Sequence, residues 1–462
     1  MIVRLLRKRC KKILKKNIKL SLIGLLVVII FTACGSAGVP VYQENGNIVV
    51  TGETEQTQEG AVAKAATTGG AEAEEAMTET SGPPEDSEQQ STEVRPEASA
   101  EINIQLMMVG DNLLHMGIVR TGKQADGSYN YDFLFKGIKD FLDTAEIKMI
   151  NQETIFGGNG LGFSGFPAFN SPTEVGDAIV KAGFNVVLHA SNHAADKKIE
   201  GLEHCVEYWK QYPEVTMAGI HEEGESAIQI LNVEGIDFAI LNYTYGPNLE
   251  TMPDTIIGHL DMLCDYDEAT GKINFTKLHP DVLTDIAKAK EMADVVIVCP
   301  HWGTEYTTKL SVYQQQFAME MTEAGADVII GTHPHVVQPM EWIEAENGNR
   351  ALCYYSLGNY VSTQKRPLCM LEAMAWISFR MTEGKVEIDE EETGVLPMVC
   401  HYTANPVRLE SVYLLEDYTE EKAASHGIKS YGGVDLYLHD LQAWSDEVFG
   451  EYILSAEEVL GE

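Results

Sequence analysis

Positive charge is what this sequence has least of. Against 70 Asp and Glu stand only 33 Lys and Arg, a formal charge of -37 over 462 residues. No basic cluster follows the first twenty residues, and nucleic acid, which needs a cationic surface, is not an expected partner. Long apolar runs are scarce as well. The main one, Leu20 to Phe31, is too short for a comfortable membrane span. Cysteine is sparse and unpatterned. Apart from Cys10 and Cys34, the chain carries Cys205, Cys264, Cys299, Cys353, Cys369 and Cys400 without tight spacing. That argues against a thiolate zinc site or a disulfide framework and reads them as small core residues. Apolar residues make up 44% of the chain, enough to fill a sizeable core.

The N-terminus has its own logic. Nine Lys and Arg between Arg4 and Lys19 precede the apolar run, which ends in Phe31-Thr-Ala-Cys34. Residues 1–34 therefore read as a secretory signal; its last four residues resemble a lipobox, with Cys34 as the lipidated first residue of the mature chain, and since Phe31 stands where Leu is usual, an uncleaved signal anchor is the alternative. Residues 35–101 are rich in Glu, Gln, Thr, Ser, Ala and Gly. Too polar to pack, they read as a disordered acidic tether. The expectation is an extracytoplasmic protein held to the cell membrane. A folded domain is expected over residues 102–415, followed by a C-terminal helical extension over 416–462.

Within that domain one pattern repeats. Short β-branched or apolar runs read as strands, and each stops at a residue with metal-binding or acid–base chemistry. Ile102 to Val109 runs into Gly110-Asp111; His115, four residues on, reads more weakly, as facing the next turn. The run ending at Ile150 delivers Asn151-Gln152-Glu153, and that ending at Leu188 delivers Ser191-Asn192-His193. Asp294 to Cys299 stops at Pro300-His301-Trp302, and Asp327 to Ile330 stops at Gly331-Thr-His333-Pro-His335. A helix N-cap or a surface histidine would explain any one of these. Five at the same topological position are better explained by one site. Carboxylates, an amide oxygen and imidazoles without thiolate suit Mn, Fe, Zn or Co. The ligands suffice for two divalent ions, which at about 3.5–4 Å apart would activate a water between them. Trp302, Glu305, Tyr306 and Asn359 are candidate substrate contacts beside them. Asp261, Asp265, Asp267 and Glu268 read as a solvated acidic loop rather than a calcium site.

These motifs, together with Gly331-x-His333-Pro334-His335-Val-x-Gln338 and Tyr355-Ser-Leu-Gly-Asn359, resemble those of the bacterial capsule-synthesis CapA family, tied to poly-γ-glutamate. The resemblance spans about residues 102–365. It implies an α/β fold, a four-layer α/β/β/α sandwich of the metallophosphatase type. By position it implies Asp111, Glu153, Asn192, His301, His333 and His335 as metal ligands, with Glu153 as a candidate bridge and His193 as general acid. Ser191, Lys198, Gln152 and Thr332 depart from the family pattern without removing a ligand. The expected function is a metal-dependent, phosphoesterase-like hydrolase of capsule polymer metabolism. Its alternative is a non-catalytic metal-binding assembly or export factor for poly-γ-glutamate. Its partners would be the membrane, through Cys34, and an anionic envelope polymer or the poly-γ-glutamate biosynthesis complex. A solute-binding lipoprotein would share the signal and the tether but leave the histidines unexplained.

Overall fold

Alternation along the first strand sets the layers. The fold is that of a computed structural model, which describes residues 102–461; the signal, Cys34 and the tether lie outside the described residues. In β1 (Ile102–Asn112), Ile104, Leu106 and Met108 enter one core while Met107 and Val109 enter another. Successive strand side chains point to opposite faces, so a strand apolar on both faces is covered on both.

The chain continues through α1 (Met116–Gly122), α2 (Lys139–Thr144), β2 (Ile147–Asn151), α3 (Glu174–Ala182), β3 (Val186–Leu188), α4 (Lys198–Trp209) and β4 (Thr216–Ala218). β1, β2, β3 and β4 pair in parallel, each reached through a helical crossover. Then come β5 (Gln229–Val233), β6 (Ile236–Thr244), a small hairpin of β7 (Cys264–Tyr266) and β8 (Ile273–Leu278), α5 (Pro280–Met292), β9 (Val295–His301), α6 (Val312–Ala324) and β10 (Val328–Ile330). β11 (Val337–Glu344), β12 (Arg350–Leu357) and β13 (Asn359–Val361) follow, then β14 (Leu371–Thr382), β15 (Lys385–Ile388), β16 (Gly394–Thr403) and β17 (Arg408–Leu414).

Two large sheets result. The first runs β17-β16-β14-β1-β2-β3-β4, with β13 added on β1 and β15 on β14; the second runs β11-β12-β10-β9-β6-β5. Leu106 and Met108 share the inner core with Phe238, Ile240 and Ile297 of the second sheet. The outer faces are covered by helices: α3 and α4 supply Ile179, Leu202 and Cys205, and α5 and α6 supply Ile286, Phe317 and Met321. This is the expected four-layer α/β/β/α arrangement. A capping box between Ser311 and Gln314 starts α6, and Gly325 at φ 120° ends it.

Three features add to the sequence reading. The polar stretch before α5 contains the β7–β8 hairpin, whose acidic residues are used locally: Asp265 pairs with Lys277 at 2.7 Å and Asp261 with His221 at 2.9 Å. β16 fills a place where no strand was expected. The C-terminal residues form α7 (Glu420–Ser425), α8 (Ile428–Gly432), α9 (Leu438–Phe449) and α10 (Ala456–Leu460). They belong to the same compact unit as the domain; Leu441 and Phe449 are buried in the inner cluster, and Leu454 N–H donates to Val395 O. All six cysteines of the domain are buried and free.

Candidate metal centre

Parallel strands end together, and here the two sheets bring their carboxyl ends to a common edge. β1 delivers Asp111. The approach is tight, because Asp111 N–H donates to Gly358 O at 3.0 Å and a Cβ on Gly110 would collide with that same carbonyl. β2 delivers Asn151 and, two residues later, Glu153. The loop after β3 brings Asn192 and His193, and β9 ends on His301. β10 leads into His333 and His335, both with positive φ, 97° and 58°. Left-handed backbone at non-glycine residues costs on the order of 1–3 kcal/mol each and persists only where the surroundings impose it.

The side chains converge. Ligand atoms of Asp111, Glu153 and His335 lie within 4.8 Å of one another. Asp111 Oδ2 is 3.0 Å from His335 Nδ1, and Glu153 Oε1 is 3.8 Å from His335 Nε2 and 4.0 Å from His301 Nε2. His301 Nε2 lies 3.0 Å from Asn192 Oδ1, while its Nδ1 meets Thr332 Oγ1 at 2.9 Å. The rings of His301 and His333 are 4.8 Å apart. Asn151 Nδ2 and the His333 N–H donate to Asp111, at 2.8 and 3.3 Å, and so orient its carboxylate. All six expected ligands therefore face one region.

Two observations say what that region is fitted for. Both carboxylate oxygens of Glu153, 1% exposed, have no hydrogen-bond partner, and neither has His333 Nδ1. A buried carboxylate without a hydrogen bond is costly unless a cation meets it. The titration pattern agrees. Burial, with Asp111 and Glu305 adding to it against the pull of His335, raises the Glu153 carboxyl well above the usual range. Burial pulls the His335 imidazole down, but Glu153 and Asp111 outweigh it and hold it up to about 9. Burial and then the neighbouring imidazoles push His301 and His333 well below their ordinary value. A mixed nitrogen and oxygen set of this kind fits Mn, Fe, Co or Zn.

His193 stands beside this set. Its Nδ1 is 2.7 Å from Asp196 Oδ2, which directs the Nδ1 proton to the carboxylate and leaves Nε2 as the other face. The Phe169 ring packs edge-on against it at 4.7 Å. Asp196 also accepts the Phe169 N–H, so loop and histidine are fixed together.

Other candidates fall in different places. Tyr306 lies 5.8 Å from the His335 ring, and Glu305 is close enough for its charge to act on Glu153 and His335. Trp302 turns away: 2% exposed, it donates its indole N–H to Tyr355 O and stacks on Tyr355 in the outer core. Asn359 is buried behind the site, its amide donating to His335 O and Cys369 O, so it shapes the His335 turn rather than facing a substrate.

Sequence reasoning passed over Tyr245, Asn248, Phe169 and the nearness of His115. Tyr245 stacks on His301 and lies 4.7 Å from His333. The Asn248 amide nitrogen lies 3.4 Å from His193 Nδ1, and its Oδ1 accepts from Asn192. Both follow β6, so the strand-end pattern reaches them as well. His115 packs edge-on against Phe169, and burial, then His335, push it down to about 3.

The family model described as "Bacterial capsule synthesis protein PGA_cap" matches residues 105–364. Over 270 residues the chain is 29% identical to the capsule biosynthesis protein CapA of Bacillus anthracis, covering 56% of this chain and 60% of that protein. Over 186 residues it is 32% identical to the PGA biosynthesis protein CapA of Bacillus subtilis strain 168, covering 39% and 43%. It thus spans less than two thirds of either relative. Among solved structures, a hypothetical protein from Thermus thermophilus is 13% identical with TM-score 0.36, covering 64% of this chain and 99% of that one. The calcineurin-like phosphoesterase YfkN from Bacillus subtilis is 11% identical with TM-score 0.35, covering 76% and 97%.

Proposed function

Since the chain belongs to the bacterial capsule-synthesis family PGA_cap, we propose that it is a metal-dependent hydrolase of capsule polymer metabolism, acting on a phosphoester or a comparable bond. The observation that carries this reading is the Glu153 carboxylate, without a hydrogen-bond partner and enclosed with Asp111, His301 and His335, with His193 close to His301 and His333. A structural ion would need the ligands but not His193.

Asp111, Glu153, Asn192, His301, His333 and His335 are the residues that would hold two divalent ions. When bound, such ions polarise the scissile group and supply hydroxide near neutral pH. The protein's own part follows from its geometry. Asp196 fixes the His193 ring through Nδ1, so a proton on Nε2 can pass to the leaving oxygen. Thr332 orients His301, and Asn151 orients Asp111. Tyr245 and Phe169 wall the centre from bulk water. A lipidated Cys34 and the acidic tether would set this domain at the outer face of the cell membrane, within reach of an anionic envelope polymer or the poly-γ-glutamate biosynthesis complex.

The second reading is a non-catalytic assembly or export factor that keeps the ions and makes no use of His193. One experiment separates the two: metal content and hydrolysis of bis(p-nitrophenyl) phosphate, on wild type and His193→Ala. The hydrolase reading expects an unchanged metal content and a rate lower by about 10²–10⁴. Equal rates in both proteins would leave the scaffold.

A further inference from the structure

Arg366 is an anomaly in so acidic a chain. It is exposed, and among the described residues no carboxylate lies within ion-pair distance of it. Yet the side chain is not loose. Its guanidinium carbon lies over the Tyr306 ring, 4.2 Å from the centroid, and that ring is 5.8 Å from His335. The platform is itself fixed. Tyr306 has φ 64°, its N–H donates to Pro334 O at 2.8 Å, and its hydroxyl accepts from Gln364 Nε2 at 3.4 Å. Gln364 Oε1 in turn accepts from Asn359, whose amide also holds His335 O. The loop between His333 and His335 thus connects, through Tyr306 and the segment after β13, to a guanidinium on the rim.

A guanidinium stacked on an aromatic face keeps its N–H edges free, and those edges match the two oxygens of a carboxylate or phosphate. We infer that Arg366 is a specificity-determining residue, binding an oxyanion of the substrate that neighbours the reacting group. This deepens the proposed hydrolase reading and rests on its placing the reaction at His335 and its neighbours. The oxyanion chemistry has two sources, a carboxylate of an acidic polymer or a second phosphate of a phosphorylated one.

The test titrates the full chain, with and without Mn²⁺, against tri-γ-glutamate and against inorganic triphosphate. The variants are Arg366→Gln, Arg366→Lys and, as a control for charge alone, Lys385→Gln at the start of β15. Arg366→Gln should weaken the better of the two probes by about tenfold to a hundredfold, the worth of hydrogen bonds to a charged group. Arg366→Lys, which keeps the charge and loses the fork, should fall between. Lys385→Gln should match wild type, and metal content should be the same in all four proteins. The inference is overturned if Arg366→Gln binds both probes as wild type does, or if Lys385→Gln loses as much. A wild type that takes up no Mn²⁺ sinks the hydrolase reading instead, and the anion titrations, which need no turnover, still decide on Arg366.

Discussion

Asp111, Glu153 and His335 make a group that is uncomfortable by itself: a carboxyl driven up by burial beside an imidazole driven up by carboxylates. A divalent cation would relieve both, because it needs the carboxylate ionised and the imidazole bare. The sign follows. His335 is held up to about 9 and so is protonated at neutral pH; it must lose that proton to act as a ligand. Metal uptake should therefore release protons at pH 7, and affinity should climb with pH until about 9. Calorimetry in buffers of differing ionisation enthalpy reads the first, and titrations at stepped pH the second; an affinity flat from pH 6 to 9 would contradict the assignment of His335. Thr332 offers a separate test. Its hydroxyl meets His301 Nδ1, and Thr332 is not itself among the proposed ligands, so Thr332→Val should cost about 10–100-fold in metal affinity, while the metal-free protein loses about 1–3 kcal/mol of stability from the buried His301 nitrogen left unpaired. At this scale the sequence spoke clearly about ligands and less about their neighbours. Residue type and position at a strand end identify Asp111 or His301, whereas the direction of the Trp302 indole depends on Tyr355, 53 positions away, which no local pattern contains.

Strands and turns carry the second level of the argument. The runs ending at Ile150, Leu188, Cys299 and Ile330 were legible because both faces of their strands are buried, which leaves a continuous β-branched or apolar run. β7 and β8 were not. They are short, pair only with each other, and expose Asn274, Phe275, Thr276 and Lys277 along β8, so their composition is that of a loop. β16 was hidden differently, by Gly394 and Pro397 within a sequence that otherwise alternates poorly. Gly110 and Gly358 mark where elements cross. Gly358, at φ 71°, turns the chain from β12 into β13, and its carbonyl leaves no room for a Cβ on Gly110. Gly110→Ala must push β1 off β13. It should destabilise the domain by about 2 kcal/mol or more, seen in urea denaturation, and should weaken metal uptake as well because Asp111 moves with it. Unchanged stability and unchanged uptake would mean that the crossing is looser than its geometry implies.

For the molecule as a whole, two sheets face each other across an inner core, and each contributes half of the candidate centre. Asp111, Glu153 and Asn192 come from the first, and His301, His333 and His335 from the second. Anything that binds only the folded arrangement stabilises it by mass action. Mn²⁺ at 100 times its dissociation constant should add about 2.7 kcal/mol. EDTA should lower the melting temperature of the metal-loaded chain, and Glu153→Gln should make that temperature indifferent to either reagent. Scanning calorimetry checks all three. A melting temperature indifferent to Mn²⁺ in the wild type would remove the cation from the account. The four-layer plan was within reach of the sequence through its motifs, but the place of the C-terminal helices was not. Their apolar residues, Leu438, Leu441, Trp444, Val448 and Phe449 among them, mark an amphipathic helix but not its partner, and it is the docked positions of Ile428, Leu436, Leu441 and Phe449 that show these helices closing the inner core.

The division of donors between the sheets has a further consequence. An ion lodged there would work as a rivet through the seam of the sandwich. One residue of slippage along a strand is about 3.3 Å, similar to the gaps now separating Asp111 and Glu153 from His335, and such a slip would pull the opposing donors out of grip. Alignment of the two halves and possession of the ion are then one property, and whatever strips the ion also frees the halves to creep.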